Sequence, residues 1–341
     1  MQARILFRLA REGRLRLLAA ATRLATPYYR VAWLAAAARH GVLARLAEGP
    51  VAFERLAAEL APAAQGRDAL RAWLQVGERL GELRSTPRGY ALRSFLARRL
   101  AEPENDAVAA VCEEAASLHH ALLLDGPERL RRGEPWTLAD QDGVLIARSS
   151  RVLEPLVCEA IDACFPPSGP VALLEVGAGS GVYIRHAAER NPDLRALGLE
   201  LQEEVATHAT ENLRAWGLAG RARIEAGDVR ERAPEPAFDV VTLHNNIYYF
   251  PVDERVALLA HLRGFLAPGG RLLLTTGCQG GSVGMALLNL WSASTRGCGR
   301  LPEAAELKEQ IGSAGFAAPR AVRLMPGESY FAFTGVNPGG A

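Results

Sequence analysis

Residues 171–184 read VALLEVGAGSGVYI, an apolar run that ends in a carboxylate and opens into three glycines spaced two apart. Glu175 is the acid, Gly177, Gly179 and Gly181 follow it, and a helical pattern begins at Val182. The order is strand, glycine turn, helix. Without Cβ atoms the backbone turns sharply and lets a ligand lie almost on the main chain. A dinucleotide fingerprint, GxGxxG, requires a third glycine where this chain has Val182. An acid at the strand end repels a pyrophosphate and attracts an ammonium. The loop is therefore read as the cradle of a ligand with a cationic group and no phosphate.

Further polar residues follow at regular places. Glu200, with Leu201 beside it, ends a second apolar run, LRALGLEL, nineteen residues past Gly181. In doubly wound folds an acid about 20 residues after the glycine loop hydrogen-bonds ribose hydroxyls. A third run, RARIEAGDV, ends in Gly227-Asp228-Val229. A fourth, Phe238 to Asn246, is apolar and β-branched as a strand buried on both faces should be, and it delivers His244 near its end. Open α/β sheets bind ligands at the carboxyl ends of their strands.

The elements that position these residues are legible in the pattern. Helices are expected over 183–190, 202–213 and 247–270, the last closed by Pro268-Gly269-Gly270. RLLLTT (271–276) is a fifth strand, and residues 320–325 and 330–334 form a hairpin around Pro326-Gly327-Glu328. Upstream, a helix over 27–47 stops at Gly49-Pro50, and helices over 53–60 and 68–80 precede two short extended runs around Pro87-Arg88-Gly89. Three helices and a β-wing make a winged helix. Residues 1–25 read as an arginine-leucine helix carrying Arg4, Arg8, Arg11, Arg14 and Arg16, an amphipathic arm for a second subunit. Pro166-Pro167-Ser168-Gly169-Pro170 marks a boundary, which gives domains of 1–105, 106–165 (connecting helices) and 166–341.

The glycine loop, the strand-end acids and the strand order together resemble class I S-adenosylmethionine-dependent methyltransferases over roughly residues 166–341. The phrases GVLARLAEGP, FERLAAELA, LQVGERLGEL and RGYAL resemble the N-terminal domain of small-molecule O-methyltransferases, which serves dimerisation. The resemblance implies an α/β fold: a seven-stranded, doubly wound, Rossmann-like sheet whose last strand is antiparallel, preceded by a mostly α winged-helix domain. It implies S-adenosyl-L-methionine held by Glu175, Gly177, Gly179, Gly181, Glu200, Leu201, Asp228, Val229 and His244. Asp228 would meet the adenine amino group and Val229 the ring face.

In that family the general base is the histidine of a His-Asp-Trp motif just after the fourth strand. Leu243-His244-Asn245-Asn246 occupies that place, so His244 takes the role. A base with a pKa near neutrality suits removal of a hydroxyl proton. This chain departs from the motif at Asn245 and Asn246, and Thr276 stands where an acid commonly ends the fifth strand. The family covers its acceptor with the region that is Gly-rich 277–300 here, so the expected acceptor contacts are Asn245, Tyr248, Met285, Asn289 and Trp291. The apolar content of 277–300 suggests a largely apolar, aromatic or polyketide-like acceptor. His119, His120 and Trp136 are read first as structural residues, as is His261.

The 341 residues suffice for two domains, and 49% hydrophobic with 23% charged is ordinary for a globular chain. Residues 1–105 carry 18 arginines and 9 acids, and the remainder 21 basic and 29 acidic residues, so a basic half joins an acidic one. Arg67, Arg71 and Arg79 lie on the would-be recognition helix, but Leu70, Trp73, Leu74, Val76 and Leu80 cover too much of it for a groove-reading face. No continuous apolar run reaches the roughly 18 residues of a membrane span, and no signal peptide is visible. Five cysteines without a CxxC pair fit a reduced cytoplasm, with no metal.

The expectation is thus a cytoplasmic homodimer that methylates a hydroxyl of a specialised metabolite and binds neither nucleic acid nor membrane. Carbon or nitrogen methylation on the same scaffold is the first alternative. The other is a winged-helix regulator that only senses a ligand.

Overall fold

The computed structural model describes residues 2–339. Residues 1, 340 and 341, inside the outer bounds of the expected domains, lie outside the described residues. The chain forms two compact units, Met1–Leu124 with Asp142–Val152, and Asp125–Gln141 with Leu153–Ala341. The expected connecting stretch 106–165 is therefore divided between them.

The first unit begins with α1 (Gln2–Arg11) and α2 (Arg14–Arg39). The single arm helix expected over 1–25 is broken at Gly13, whose φ of 69° is open to glycine. α2 runs on past Pro27 into the segment expected as a separate helix. That helix in turn breaks at Gly41 (φ 69°) before α3 (Val42–Ala47). Then come α4 (Phe53–Leu60), α5 (Arg67–Arg79), and the antiparallel pair β1 (Leu83–Thr86) and β2 (Gly89–Leu92), paired Leu83 to Leu92. The elements of a winged helix are thus present in order.

Their core holds Trp33, Leu34, Leu43, Leu46, Leu56, Leu74 and Leu83, with Trp33 stacked on Trp73 at 4.8 Å. On α5, Leu70 and Leu74 are buried, Arg67 pairs with Glu54, and Arg71 lies over the Phe53 ring at 3.8 Å. Two of the three arginines of a would-be reading helix are thus engaged within the unit.

α6 (Phe95–Arg99) and α7 (Asp106–Glu114) follow, then a π-helical turn at Ala115–His119. α8 (His120–Arg132) carries the chain out of the unit, and α9 (Gly143–Ser150) returns to it. By length and composition alone, the helical stretch Pro103–Arg132 would be long and apolar enough to cross a membrane. Several of its acids are nevertheless ion-paired: Asp106 and Glu113 with Arg148, Glu113 also with Arg39, and Glu114 with His119.

The second unit holds α10 (Glu154–Cys164) and a seven-stranded sheet. Its elements in order are β3 (Val171–Val176), α11 (Val182–Arg190), β4 (Leu194–Glu200), α12 (Glu203–Ala215) and β5 (Ala222–Ala226), followed by β6 (Phe238–His244), α13 (Arg255–Arg263) and β7 (Leu266–Gly277). It closes with α14 (Val283–Ser294), α15 (Ala304–Ser313), β8 (Ala317–Arg323) and β9 (Tyr330–Val336). The strand order is β5-β4-β3-β6-β7-β9-β8, with β9 antiparallel to both neighbours. Alternate residues of the central strands face opposite ways. Leu174, Val176, Val241 and Leu274 pack with α13 and α15, while Leu173, Val240 and Leu273 pack with α10 and α11. Both faces are covered, so the strands read as continuous apolar runs.

Three elements differ from expectation. Residues 247–270 are not one helix: Pro251 separates short 3₁₀ turns at Ile247–Tyr249 and Val252–Glu254, and only Arg255–Arg263 is α-helical. Pro268-Gly269-Gly270 lies within β7, which starts at Leu266. The Gly-rich region 277–300 contains α14, capped by Ser282, whose hydroxyl accepts the Met285 N–H.

Candidate cofactor and active site

The carboxyl edge of the sheet collects Glu175, the glycine loop, Glu200 and His244. Parallel register sets Glu175 beside Gly198 on β4 and Thr242 on β6, Glu200 beside Ala226, and His244 beside Thr275. After β3 the chain turns through Gly177 (φ 71°), Gly179 (φ 54°) and Gly181 (φ 80°), three positions in the left-handed region. A Cβ at 177 would overlap the Asn246 side-chain amide, whose Nδ2 donates to the Val176 carbonyl at 2.6 Å. Asn246 thus ties the segment after β6 to the end of β3.

Glu175 is 1% exposed, and neither carboxylate oxygen has a hydrogen-bond partner among the described residues. Burial, with the Glu200 charge nearby, pushes its carboxyl well above the usual range. A buried acid in this state suits a cationic partner. Glu200 accepts the Gly179 N–H at 2.9 Å, which fastens the glycine loop to the end of β4. Leu201 beside it is exposed.

Asp228 ends the segment after β5, but its carboxylate is engaged. Both oxygens take the Arg230 guanidinium, the shortest contact being 2.6 Å, and Arg230 holds its pKa below the usual range. Val229 is buried in the core with Leu199 and Val241 rather than displayed as a platform. His261 donates from Nε2 to the Val229 carbonyl at 2.8 Å and packs on Phe265, a structural role.

His244 is buried. Its Nδ1 lies 2.9 Å from Thr275 Oγ1, its ring meets Tyr183 edge-on at 5.0 Å, and Nε2 has no partner among the described residues. Burial lowers its pKa to about 3. The expected near-neutral base is therefore a neutral imidazole of low basicity. Thr275 offers its hydroxyl at the Nδ1 edge of the ring, while Thr276 turns its own hydroxyl to the Gly277 carbonyl. Asn245 is in the left-handed region (φ 54°), which ends β6 at His244 rather than at Asn246 as expected, and its side-chain oxygen accepts from Tyr330 at 2.7 Å.

The expected acceptor residues divide. Tyr248 packs on Tyr249, and Tyr249 meets Trp291 edge-on at 5.6 Å. Met285 is buried in the core on the α10–α11 face of the sheet. Asn289 is engaged, accepting the Leu301 N–H at 2.8 Å. Trp136 is buried under Arg129 at 3.8 Å and bridges to Thr295. His119 and His120 lie in the first unit, against Glu114 and Tyr28 respectively. Tyr183, Thr275 and Tyr330 were not singled out from the sequence. No local motif marks them, since they come together across 55 residues or more from one another only through the sheet.

Residues 174–272 match the family described as a methyltransferase domain. The demethylspheroidene O-methyltransferase of Rhodobacter capsulatus is 26% identical over 194 residues, 54% of this chain and 46% of that protein. The chain spans about half the length of the curated relatives it matches. Among solved structures, mitomycin 7-O-methyltransferase superposes with a TM-score of 0.76 at 19% identity, covering 95% of this chain and 99% of that one. Human N-acetylserotonin methyltransferase in complex with S-adenosylmethionine gives 0.71 at 17%, covering 94% and 97%. Residues 174–272 match a methyltransferase domain, and the chain shares its fold, with the Rossmann-like sheet, with these solved methyltransferases.

Proposed function

We propose that the protein transfers a methyl group from S-adenosylmethionine to a hydroxyl of a small, largely apolar metabolite. The observation that carries the reading is Glu175, a buried carboxylate without a partner among the described residues, beside three left-handed glycines. When bound, the cofactor supplies an electrophilic methyl on a sulfonium sulfur. Glu175 would face its ammonium, the backbone at Gly177–Gly181 would admit close approach, and Glu200 would take the ribose hydroxyls. Adenine recognition by Asp228 would share that carboxylate with Arg230. His244 would accept a hydrogen bond at Nε2 and so orient a nucleophile, because in-line displacement depends on alignment.

Nitrogen or carbon methylation is the second reading. Its support is the low basicity of His244: an amine brings its own lone pair and needs no strong base. Relatives named for O-methyl transfer favour the hydroxyl. The test is incubation with isotopically labelled S-adenosylmethionine and a metabolite extract, with mass spectrometry of the product bond. Label on oxygen supports the first reading, label on nitrogen or carbon the second, and no label in any product contradicts both.

The protein is also proposed to work as a cytoplasmic homodimer through residues 1–105. Leu17, Leu18, Leu24 and Tyr29 are exposed along α2, and all five cysteines are free.

A further inference from the structure

His244, Thr275 and Tyr330 are buried and, with the half-buried Asn245, form a row across three strands. Thr275 and Tyr330 are fully buried, on β7 and β9, and Asn245 follows β6 directly. The separations are 2.9 Å from His244 Nδ1 to Thr275 Oγ1, 3.3 Å from Thr275 Oγ1 to Tyr330 Oη, and 2.7 Å from Tyr330 Oη to Asn245 Oδ1. The far end sets the direction. An amide oxygen only accepts, so the single phenolic proton of Tyr330 is committed to Asn245. The Tyr330 oxygen is then free to accept, and the Thr275 hydroxyl is its donor. The Thr275 oxygen in turn accepts from the imidazole, which places the ring proton on Nδ1.

The Asn245 backbone holds the terminus in place. Its N–H donates to the Thr275 carbonyl at 2.8 Å, and its left-handed φ of 54° is one that asparagine tolerates better than most residues. The reverse tautomer would leave a buried N–H on Nε2 with no acceptor among the described residues, and orphaned donors are the rarer fault in proteins.

We propose that Thr275 and Tyr330 are positioning residues that hold His244 as the Nδ1–H tautomer, so that Nε2 presents a lone pair to an N–H or O–H donor of a bound ligand. The identity of that ligand rests on the methyl-transfer reading; the tautomer does not. The hydrogen bond made by one imidazole nitrogen commonly fixes which of the two is protonated.

Long-range ¹H–¹⁵N spectra of the full-length protein test it, with the His244 ring nitrogens assigned by their loss in His244→Gln. The wild type should show a protonated Nδ1 and an unprotonated Nε2. Tyr330→Phe removes the acceptor of the Thr275 proton, so Thr275 should turn and donate to Nδ1, switching His244 to the Nε2–H form. Thr275→Ser keeps the hydroxyl and should keep the wild-type tautomer even if Tyr330→Phe fails to fold. An Nε2–H tautomer in the wild type, or a switch in Thr275→Ser, would overturn the proposal. So would a folded Tyr330→Phe with unchanged ring shifts. Titration of the same wild-type sample with S-adenosylhomocysteine separates the two readings. If the Nδ1–H form is present and no binding occurs, the cofactor reading fails and the positioning role stands.

Discussion

His244 remains neutral through the pH range in which an ordinary histidine titrates, and this shapes what its substitution should do. With a folded pKa of about 3 against the usual 6.5, it contributes no acid limb to activity near neutrality. Full general-base assistance is worth about 10²–10⁴-fold in rate. His244→Gln should cost less, on the order of tenfold, with a pH–rate profile parallel to that of the wild type. A loss of about 10³-fold, with a wild-type limb near pH 6.5 absent from the variant, would restore the base role. The same depressed pKa makes folding pH-dependent. The unfolded chain takes up a proton that the folded one refuses, so stability present above pH 6.5 is lost as pH falls toward 3.

Glu175 has the opposite sign. Its raised pKa means that in the ligand-free protein, stability present below pH 4.5 is lost as pH rises through the folded value. Glu175→Gln should therefore raise the thermal midpoint at pH 8 and flatten that pH dependence, while weakening the cofactor site. A lower midpoint at pH 8 in the variant would contradict this. That Glu175 is acidic and ends a strand was plain from the sequence. That His244 is buried against Tyr183 was not, because burial is set by distant segments, and the two-residue spacing of Asp228 and Arg230 does not by itself show that their side chains pair.

All three loop glycines take left-handed backbone, and at Gly177 a neighbour also leaves no room for a side chain. Gly177 sits against the Asn246 amide, and at Gly198 on β4 a Cβ would lie 2.5 Å from Ile224 Cδ1 and 2.8 Å from Ala178 Cβ. Gly177→Ala forces a left-handed backbone on alanine and displaces the Asn246 tie, so it should cost about 1–3 kcal/mol in stability, measured by denaturant unfolding. The loss should be accompanied by failure to bind S-adenosylhomocysteine. Gly179→Ala meets no atom within 4 Å and should bear only the backbone strain, retaining more stability than Gly177→Ala. Equal losses at the two positions would show that the Asn246 contact is immaterial. The order of strands and the positions of the loop, β3, β4 and β6 were legible from apolar runs and turn residues. The 247–270 segment was misread because its apolar spacing is helical on both sides of Pro251, and a proline outweighs periodicity. The helix over 283–294 was hidden by glycines at 277, 280, 281 and 284, which lie at its start rather than along it.

At the scale of the whole molecule the proposal is a dimeric enzyme rather than a regulator. The winged-helix elements were visible in the sequence, whereas the breaks at Gly13 and Gly41 were not, because a single glycine inside an apolar helical pattern does not show which way the chain turns. Deleting residues 1–25 removes part of the exposed apolar surface of α2 and should shift the protein toward monomer in light scattering at micromolar concentration. A monomeric mass for the intact protein would contradict the dimer. Tight, salt-sensitive binding of generic duplex DNA would favour the regulator instead, since phosphate contacts give that signature.

The claim on which the rest depends is that the Glu175–Gly181 edge binds S-adenosylmethionine, and calorimetry addresses it directly. The account predicts that S-adenosylhomocysteine binds the wild type and that NAD does not compete. Glu175→Gln, folded by thermal unfolding, should weaken that binding by about 1.5–3 kcal/mol, the worth of a hydrogen bond to a charged group. Tighter binding of NAD than of S-adenosylhomocysteine, or undiminished binding in a folded Glu175→Gln variant, would contradict it.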